Sequence, residues 1–335
     1  MPRRSVNVIP YAWTALILLA TTVYFGRVLV SETPPFILPS KVSAHQVDRS
    51  SSSPASCSHQ GRLFFGSCIC HRGFTGSECE LETDELQYTA THGVISVSKA
   101  RWERAQAAES DHWKTSKDSN DGWDHHARRF GNYSRLEGTY FKRWLEIGCG
   151  PFTQTLNILR LRPDITTDLV TLSDPNIFKY VRQVSECTYT SGMLGEFQTR
   201  LVDVASEELL RSSSERFDVV VAINVAEHVR DILRHFETLY ELLKPNGQLI
   251  FSDRAWDTYE PVEHFRKNPK DVLFHPTRAK TPVFEIFLSQ FEPNLCVQTR
   301  TPDELNPTAF YFIGRKRNAL EQRNFSCTVM DWNGT

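Results

Sequence analysis

From residue 144 onward, short apolar runs alternate with segments whose apolar positions recur every three or four residues. Residues 144–147 (WLEI) read as a buried strand. Residues 153–162, with Leu156, Leu159 and Leu161 near helical spacing, read as the helix that follows. Further strands are read at 169–173, ending at Asp174, and at 197–202, ending at Asp203. Two more lie at 217–223 (FDVVVAI), ending at Asn224, and at 248–252, ending at Asp253. Between these two, 229–243 forms an amphipathic helix closed by Lys244-Pro245-Asn246-Gly247. Alternating β and α with continuous apolar strands implies an α/β fold, a parallel sheet covered on both faces. Two last runs, 295–299 and 309–314, read as strands joined by a polar loop with Pro302, Asn306 and Pro307.

A ligand of such a sheet sits beyond the carboxyl ends of the strands. The first strand breaks there into Glu146-Ile147-Gly148-Cys149-Gly150-Pro151-Phe152. Glycines at a turn let the backbone approach a ligand without a Cβ in the way. The dinucleotide pattern G-x-G-x-x-G is incomplete, because its third glycine is absent. The E-x-G-x-G run resembles motif I of class I S-adenosyl-L-methionine methyltransferases, of the type 11 kind. Asp174, Asn224-Val225-Ala226-Glu227-His228 and Leu243-Lys244-Pro245-Asn246-Gly247 follow in the family's order. The departure is Phe152, where the family carries another glycine.

The resemblance covers about 143–317 and implies a Rossmann-like seven-stranded sheet. Its antiparallel last strand would insert beside the fifth. It also implies the cofactor S-adenosyl-L-methionine (SAM) and a set of roles. Glu146, Gly148 and Gly150 would face the methionine end. Asp174 would take the ribose hydroxyls, for which a carboxylate offers two acceptor oxygens. Asp203 would accept from the adenine amino group, and Asn224 would contact the sulfonium side or the acceptor. Acids at strand ends also cap helices, which is the plainer reading of Asp174 and Asp203. His228 is the candidate base for a hydroxyl acceptor. Its plainer reading is a helix-start residue that packs there.

The rest of the chain sets a compartment. Residues 8–25 carry no charge, with Arg3 and Arg4 before them and Arg27 after. This reads as a signal anchor over 8–30 behind a cytoplasmic tail, 1–7, with the remainder translocated. A cleaved signal peptide is the rival reading. Residues 31–56 form a Ser/Pro-rich stem. Residues 57–79 resemble a truncated EGF-like module, with Cys68-Ile69-Cys70 and glycines before Cys79, and with Arg62 where the third cysteine would be. The resemblance implies the pairs Cys57–Cys68 and Cys70–Cys79. Zinc is the competing reading, with His71 nearby, but finger-type spacing is absent. The pairing of Cys149, Cys187, Cys296 and Cys327 stays open, with Cys149 expected free. Sequons at Asn132, Asn324 and Asn333 agree with a lumenal side.

Residues 86–142 read as a helical cap or lid, with Trp113, Trp123, His125, His126 and Tyr133 ahead of the first strand. Ordinary aromatic packing explains that cluster as well. The stretch 254–275 is expected to complete the acceptor pocket, with His264 and His275 as possible contacts. The tail is 318–335. Lys and Arg number 38 against 40 Asp and Glu, with no basic block, so no nucleic-acid partner is expected. No metal is expected either. An anchor, a stem and a lumenal domain suggest a type II membrane enzyme of the Golgi or ER that O-methylates a glycan or glycoprotein hydroxyl. It would need a SAM carrier in its membrane. The alternatives are a lipid or small-molecule acceptor at the membrane, or a non-catalytic adhesion protein.

Overall fold

In the computed structural model, the apolar runs of the sequence are the inner strands of one sheet. The structure describes residues 57–70, 74–82, 94–95, 97, 99–116, 120–189, 197–257, 273–300, 308–318 and 325–331. The expected tail, anchor and stem over 1–56 lie outside these, as do His71, His264, Asn324 and Asn333. Among the described residues no helix is long and apolar enough to cross a membrane.

The first elements are β1 (Gly61–Phe64), β2 (Ser67–Cys70), β3 (Phe74–Thr75), β4 (Leu81–Glu82) and β5 (Val94–Ile95). Helices α1 (Lys99–Thr115) and α2 (Trp123–Arg129) follow. The main body comprises β6 (Tyr140–Ile147), α3 (Gln154–Leu161), β7 (Thr166–Ser173), α4 (Ile177–Gln183), β8 (Thr199–Val202) and β9 (Phe217–Ile223). It continues with α5 (Ile232–Leu242), β10 (Leu243–Ala255), β11 (Arg278–Ala279), α6 (Thr281–Leu288), β12 (Phe291–Arg300), β13 (Thr308–Lys316) and β14 (Thr328–Asp331).

The sheet order is β14-β12-β13-β10-β9-β6-β7-β8. Strands β6 to β10 pair in parallel, and β13 inserts antiparallel between β10 and β12. The chain runs outward from β6 to β8, then returns on the other side to β9. That reversal opens a crevice at the carboxyl ends of β6 and β9. Alternate residues of β9 face opposite layers. Val219, Val221 and Ile223 pack with Trp144, Leu172 and Leu156, while Val220 and Ala222 pack with Leu145, Phe236 and Phe251. Burial on both faces is why these strands read as unbroken apolar runs.

The sheet has eight strands rather than the expected seven, because the expected tail supplies β14. Cys296 and Cys327 form a disulfide with Cα atoms 4.7 Å apart. This staple sets Thr328–Asp331 beside β12 in parallel register, Val297↔Thr328 to Arg300↔Asp331. Four residues carry too little pattern to read as a strand unaided. Helix α5 starts three residues later than expected because Asp231 caps it, accepting from Arg234 N at 2.9 Å.

The cysteine-rich segment is bonded as its resemblance implied, Cys57–Cys68 and Cys70–Cys79. It is not a free-standing spacer. Phe64 and Ile69 of its hairpin are buried in the same core as Phe236 and Phe287. Phe65 meets the Tyr240 ring edge-on at 5.3 Å. Arg62 reaches Asp231 at 2.9 Å and Glu237 at 2.7 Å on α5. A hairpin this small has no core of its own, so it completes one on the sheet domain.

Phe64→Ala should lower unfolding stability by about 3–5 kcal/mol. Arg62→Ala should cost about 1 kcal/mol or less, because its ion pairs are a third exposed. Urea unfolding of the whole chain tests this. Equal midpoints for Phe64→Ala and the natural chain would remove the hairpin from the core.

Candidate active site

Glu146 ends β6 buried, with 2% of its surface exposed. Its carboxylate accepts from Gln154 N at 2.8 Å, Thr155 N at 2.9 Å and the Thr153 hydroxyl. It therefore caps α3, and its side chain does not line the cavities of the crevice. Its reach back over the turn fixes the path of the residues between, Gly148 to Phe152. Gly148 and Gly150 both have positive φ, 65° and 51°. A Cβ on Gly148 would meet Val225 Cγ2 at 2.6 Å, whereas one on Gly150 would find open space. The first glycine lets the loop pass the neighbouring turn, and the second leaves backbone open to the crevice.

Asp174, at the end of β7, receives Gly150 N at 3.2 Å and Asn176 N at 2.7 Å. Burial outweighs these hydrogen bonds and pushes its carboxyl up to about 7. Asp203 is exposed, and the crevice beyond β8 is lined instead by Val204, Ala205 and Ser206. The side chain one residue past a strand end faces away when the next residues turn inward. Here Ser173 Oγ pulls them in by donating to Val204 O at 3.0 Å. Asn224 adopts φ 60° and accepts from Arg254 at 3.0 Å. Asp253 holds the turn after Asn224 by accepting from Val225 N at 2.8 Å and from Ala226 N. That turn presents His228.

Two adjoining cavities share Gln106, Gly148, Asp174, Val225 and His228. Helix α1 roofs them with Trp102, Gln106, Glu109 and Trp113, spaced to lie on one helical face. Trp102 Nε1 and Gln106 Nε2 donate to His228 O at 2.9 and 3.0 Å. His228 Nδ1 lies 3.8 Å from Glu109 Oε2 and has no hydrogen-bond partner among the described residues. Burial lowers its pKa to about 4 against the opposing pull of Glu109, so the imidazole is neutral near pH 7.

Of the expected lid cluster, Trp113 reaches the cavity. His125 bonds Tyr311 at 2.8 Å, and Tyr133 stacks on Phe130, both on the far side of the sheet layer. Trp123 Nε1 donates to Phe152 O at 3.3 Å, and Trp113 meets the Phe152 ring edge-on at 5.6 Å. Phe152, the departure from the family's glycine, thus braces the glycine turn against α1 and α2. Asn132 is exposed at a turn with φ 52°. Cys149 and Cys187 are buried and take no part in the three disulfides among the described residues. Among the described residues no group of three His, Cys, Asp or Glu is placed to hold a metal ion.

Residues 120–280 match the family model described as a methyltransferase domain. Residues 120–280 are thus similar to a methyltransferase domain. Curated relatives include ubiquinone biosynthesis O-methyltransferases. That of Cereibacter sphaeroides is 32% identical over 111 residues, 33% of this chain and 40% of the relative. That of Pseudomonas savastanoi is 26% identical over 133 residues, 40% of this chain and 48% of the relative. The chain thus spans less than half the length of these relatives. A solved structure with a similar course is N-methyltransferase NodS from Bradyrhizobium japonicum with S-adenosyl-L-homocysteine. It is 16% identical, covers 64% of this chain and 98% of that one, and has a TM-score of 0.45. The cleft suits SAM. Glu109, Asp121 and Asp174 line it, and a sulfonium ligand with an ammonium group and a diol asks for such acceptors.

Affinity for SAM should rise as pH passes upward through about 7, because Asp174 must be ionised to accept two hydroxyl donors. Asp174→Asn should weaken binding roughly tenfold or more and flatten this dependence. A calorimetric pH series that is flat for the natural chain would contradict the assignment. Phe152→Gly should lower both the unfolding free energy, by about 3 kcal/mol, and SAM affinity. Unchanged affinity in a folded Phe152→Gly chain would mean the brace does not serve the loop.

Proposed function

We propose that the chain transfers a methyl group from SAM to a hydroxyl oxygen of an acceptor. The observation that carries this reading is His228, a neutral, buried imidazole that lines both cavities beside Glu109. When bound, SAM supplies an electrophilic methyl on a sulfonium. The side chains do the rest. Asp174 and the glycine turn hold the cofactor. Helix α1 excludes water, which favours an in-line approach of the acceptor oxygen. A hydroxyl is a poor nucleophile until its proton leaves, and His228 is placed to take it. Glu109 favours the imidazolium so formed.

The acceptor we propose is a glycan or glycoprotein hydroxyl in the lumen of the Golgi or ER. Three disulfides among the described residues support an oxidising compartment. The apolar segment 8–30 would anchor the chain there as a type II membrane protein, and an exposed Asn132 sequon is open to glycosylation. A lumenal site requires a SAM carrier. The second reading is a lipid or small-molecule acceptor, favoured by the relatives' naming for ubiquinone biosynthesis.

Full-length chain incubated with methyl-labelled SAM and a microsomal extract should give base-stable label, in glycosidase-released glycans or in the lipid phase, dependent on His228. His228→Ala should cut turnover by roughly a hundredfold or more while SAM affinity stays within about threefold. Label in glycans supports the first acceptor and label in the lipid phase the second. Label confined to amines, with His228→Ala fully active, would overturn oxygen methylation.

A further inference from the structure

His228 is not alone at the acceptor side of the cleft. The ring of His275 lies 4.6 Å from it at 75°, edge to face. His275 Nδ1 is 3.8 Å from Glu227 Oε2. Glu227 is itself buried, with 2% of its surface exposed, and takes the Trp256 indole N–H on its other oxygen. Burial pushes the Glu227 carboxyl up, but Arg254, Arg278 and His275 together hold it at about 2, so it is an anion. Arg254 Nε stands 4.0 Å from it.

The segment that carries His275 is tied down. Thr277 N donates to Glu227 O at 3.2 Å, and Thr277 Oγ1 donates to Ala226 O at 2.8 Å. Trp256 N donates to Ala279 O at 2.8 Å, and Arg278 lies 4.5 Å over the Trp256 ring. On the opposite side, Trp113 Nε1 fixes Glu109 by donating to its Oε1 at 2.6 Å. His112 of α1 lies 5.5 Å from Phe274. The His228 ring thus faces Glu109 on α1 at 3.8 Å and the His275 ring on the segment before β11, with the Glu227 charge next to it in the chain. Arg254 at the end of β10 completes the charged surroundings. A buried ion network of this kind is a poor source of stability, because desolvation offsets the attraction. Behind a residue that lines a cleft it serves instead to set the orientation and basicity of that residue.

We propose that His275, held by Glu227, is a positioning residue for His228. The proposal rests on the reading of the chain as an O-methyltransferase. His275 sets the plane of the His228 ring, and the Glu227 charge favours the imidazolium that forms. In the step, the acceptor O–H bond breaks and its proton passes to His228. The O–CH₃ bond forms as the S–CH₃ bond breaks, and that electron pair stays on sulfur. The proton then leaves His228 to solvent, which balances charge.

The test uses full-length His275→Gln and Glu227→Gln, the latter keeping an oxygen for Trp256. SAM affinity should stay within about threefold in both, since neither residue lines the cofactor cavities. Turnover at saturating SAM should fall roughly tenfold or more. The acid limb of the profile should move down in Glu227→Gln, which loses a carboxylate that favours imidazolium. It should move up in His275→Gln, which loses a neighbour that opposes it. Titration of the His228 ring by NMR in histidine-labelled chain reads the same two shifts without turnover. Opposite shifts with no O-methylation by the natural chain would leave the positioning intact and fail the activity. Natural turnover with unshifted limbs in both folded variants would overturn the positioning role.

Discussion

A carboxylate buried beneath a helix N-terminus is the constraint on which the cleft depends. Glu146 satisfies two orphan N–H groups of α3 and the Thr153 hydroxyl at once. Because it ends the central strand, it ties the sheet to the helix across the glycine turn. The positive φ angles of Gly148 and Gly150 follow from closing that short span. Asp253 does the same two strands away, where it holds the turn that presents His228. The cleft is a pair of turns, the first pinned by an acid of its own strand and the second by an acid of the neighbouring β10. Asp174 flanks the first turn from the end of β7, with its carboxyl pushed up to about 7.

The roof follows from the turns. His228 O accepts two side-chain donors from α1, and Phe152 meets Trp113. Lid and floor are thus joined at the base candidate on one side and at the glycine turn on the other. The hairpin of the disulfide segment stands outside this circuit but leans on α5, whose cap Asp231 it engages through Arg62.

The inner strands were legible because two-sided burial writes continuous apolar runs, and the order of strand-end polar residues located the cleft. The roles of those residues were less legible. An acid after a strand looks the same whether it caps a helix, as Glu146 does, or faces solvent, as Asp203 does. Local backbone direction decides, and it is set by contacts such as Ser173 to Val204. The stripe Trp102, Gln106, Glu109 and Trp113 has helical spacing, yet its mixed chemistry carries no aliphatic signal because it faces a cleft rather than a core. Strand β14 depended on a disulfide whose partners the sequence left open.

The most direct measurement of the central claim is a crystal structure of the chain grown with S-adenosyl-L-homocysteine. Adenine is expected against Val204, Ala205 and Ser206, both ribose hydroxyls on Asp174, and sulfur turned toward His228 beneath α1. Ligand bound away from the ends of β6, β7 and β9, or a cleft that stays closed at saturating ligand, would contradict it.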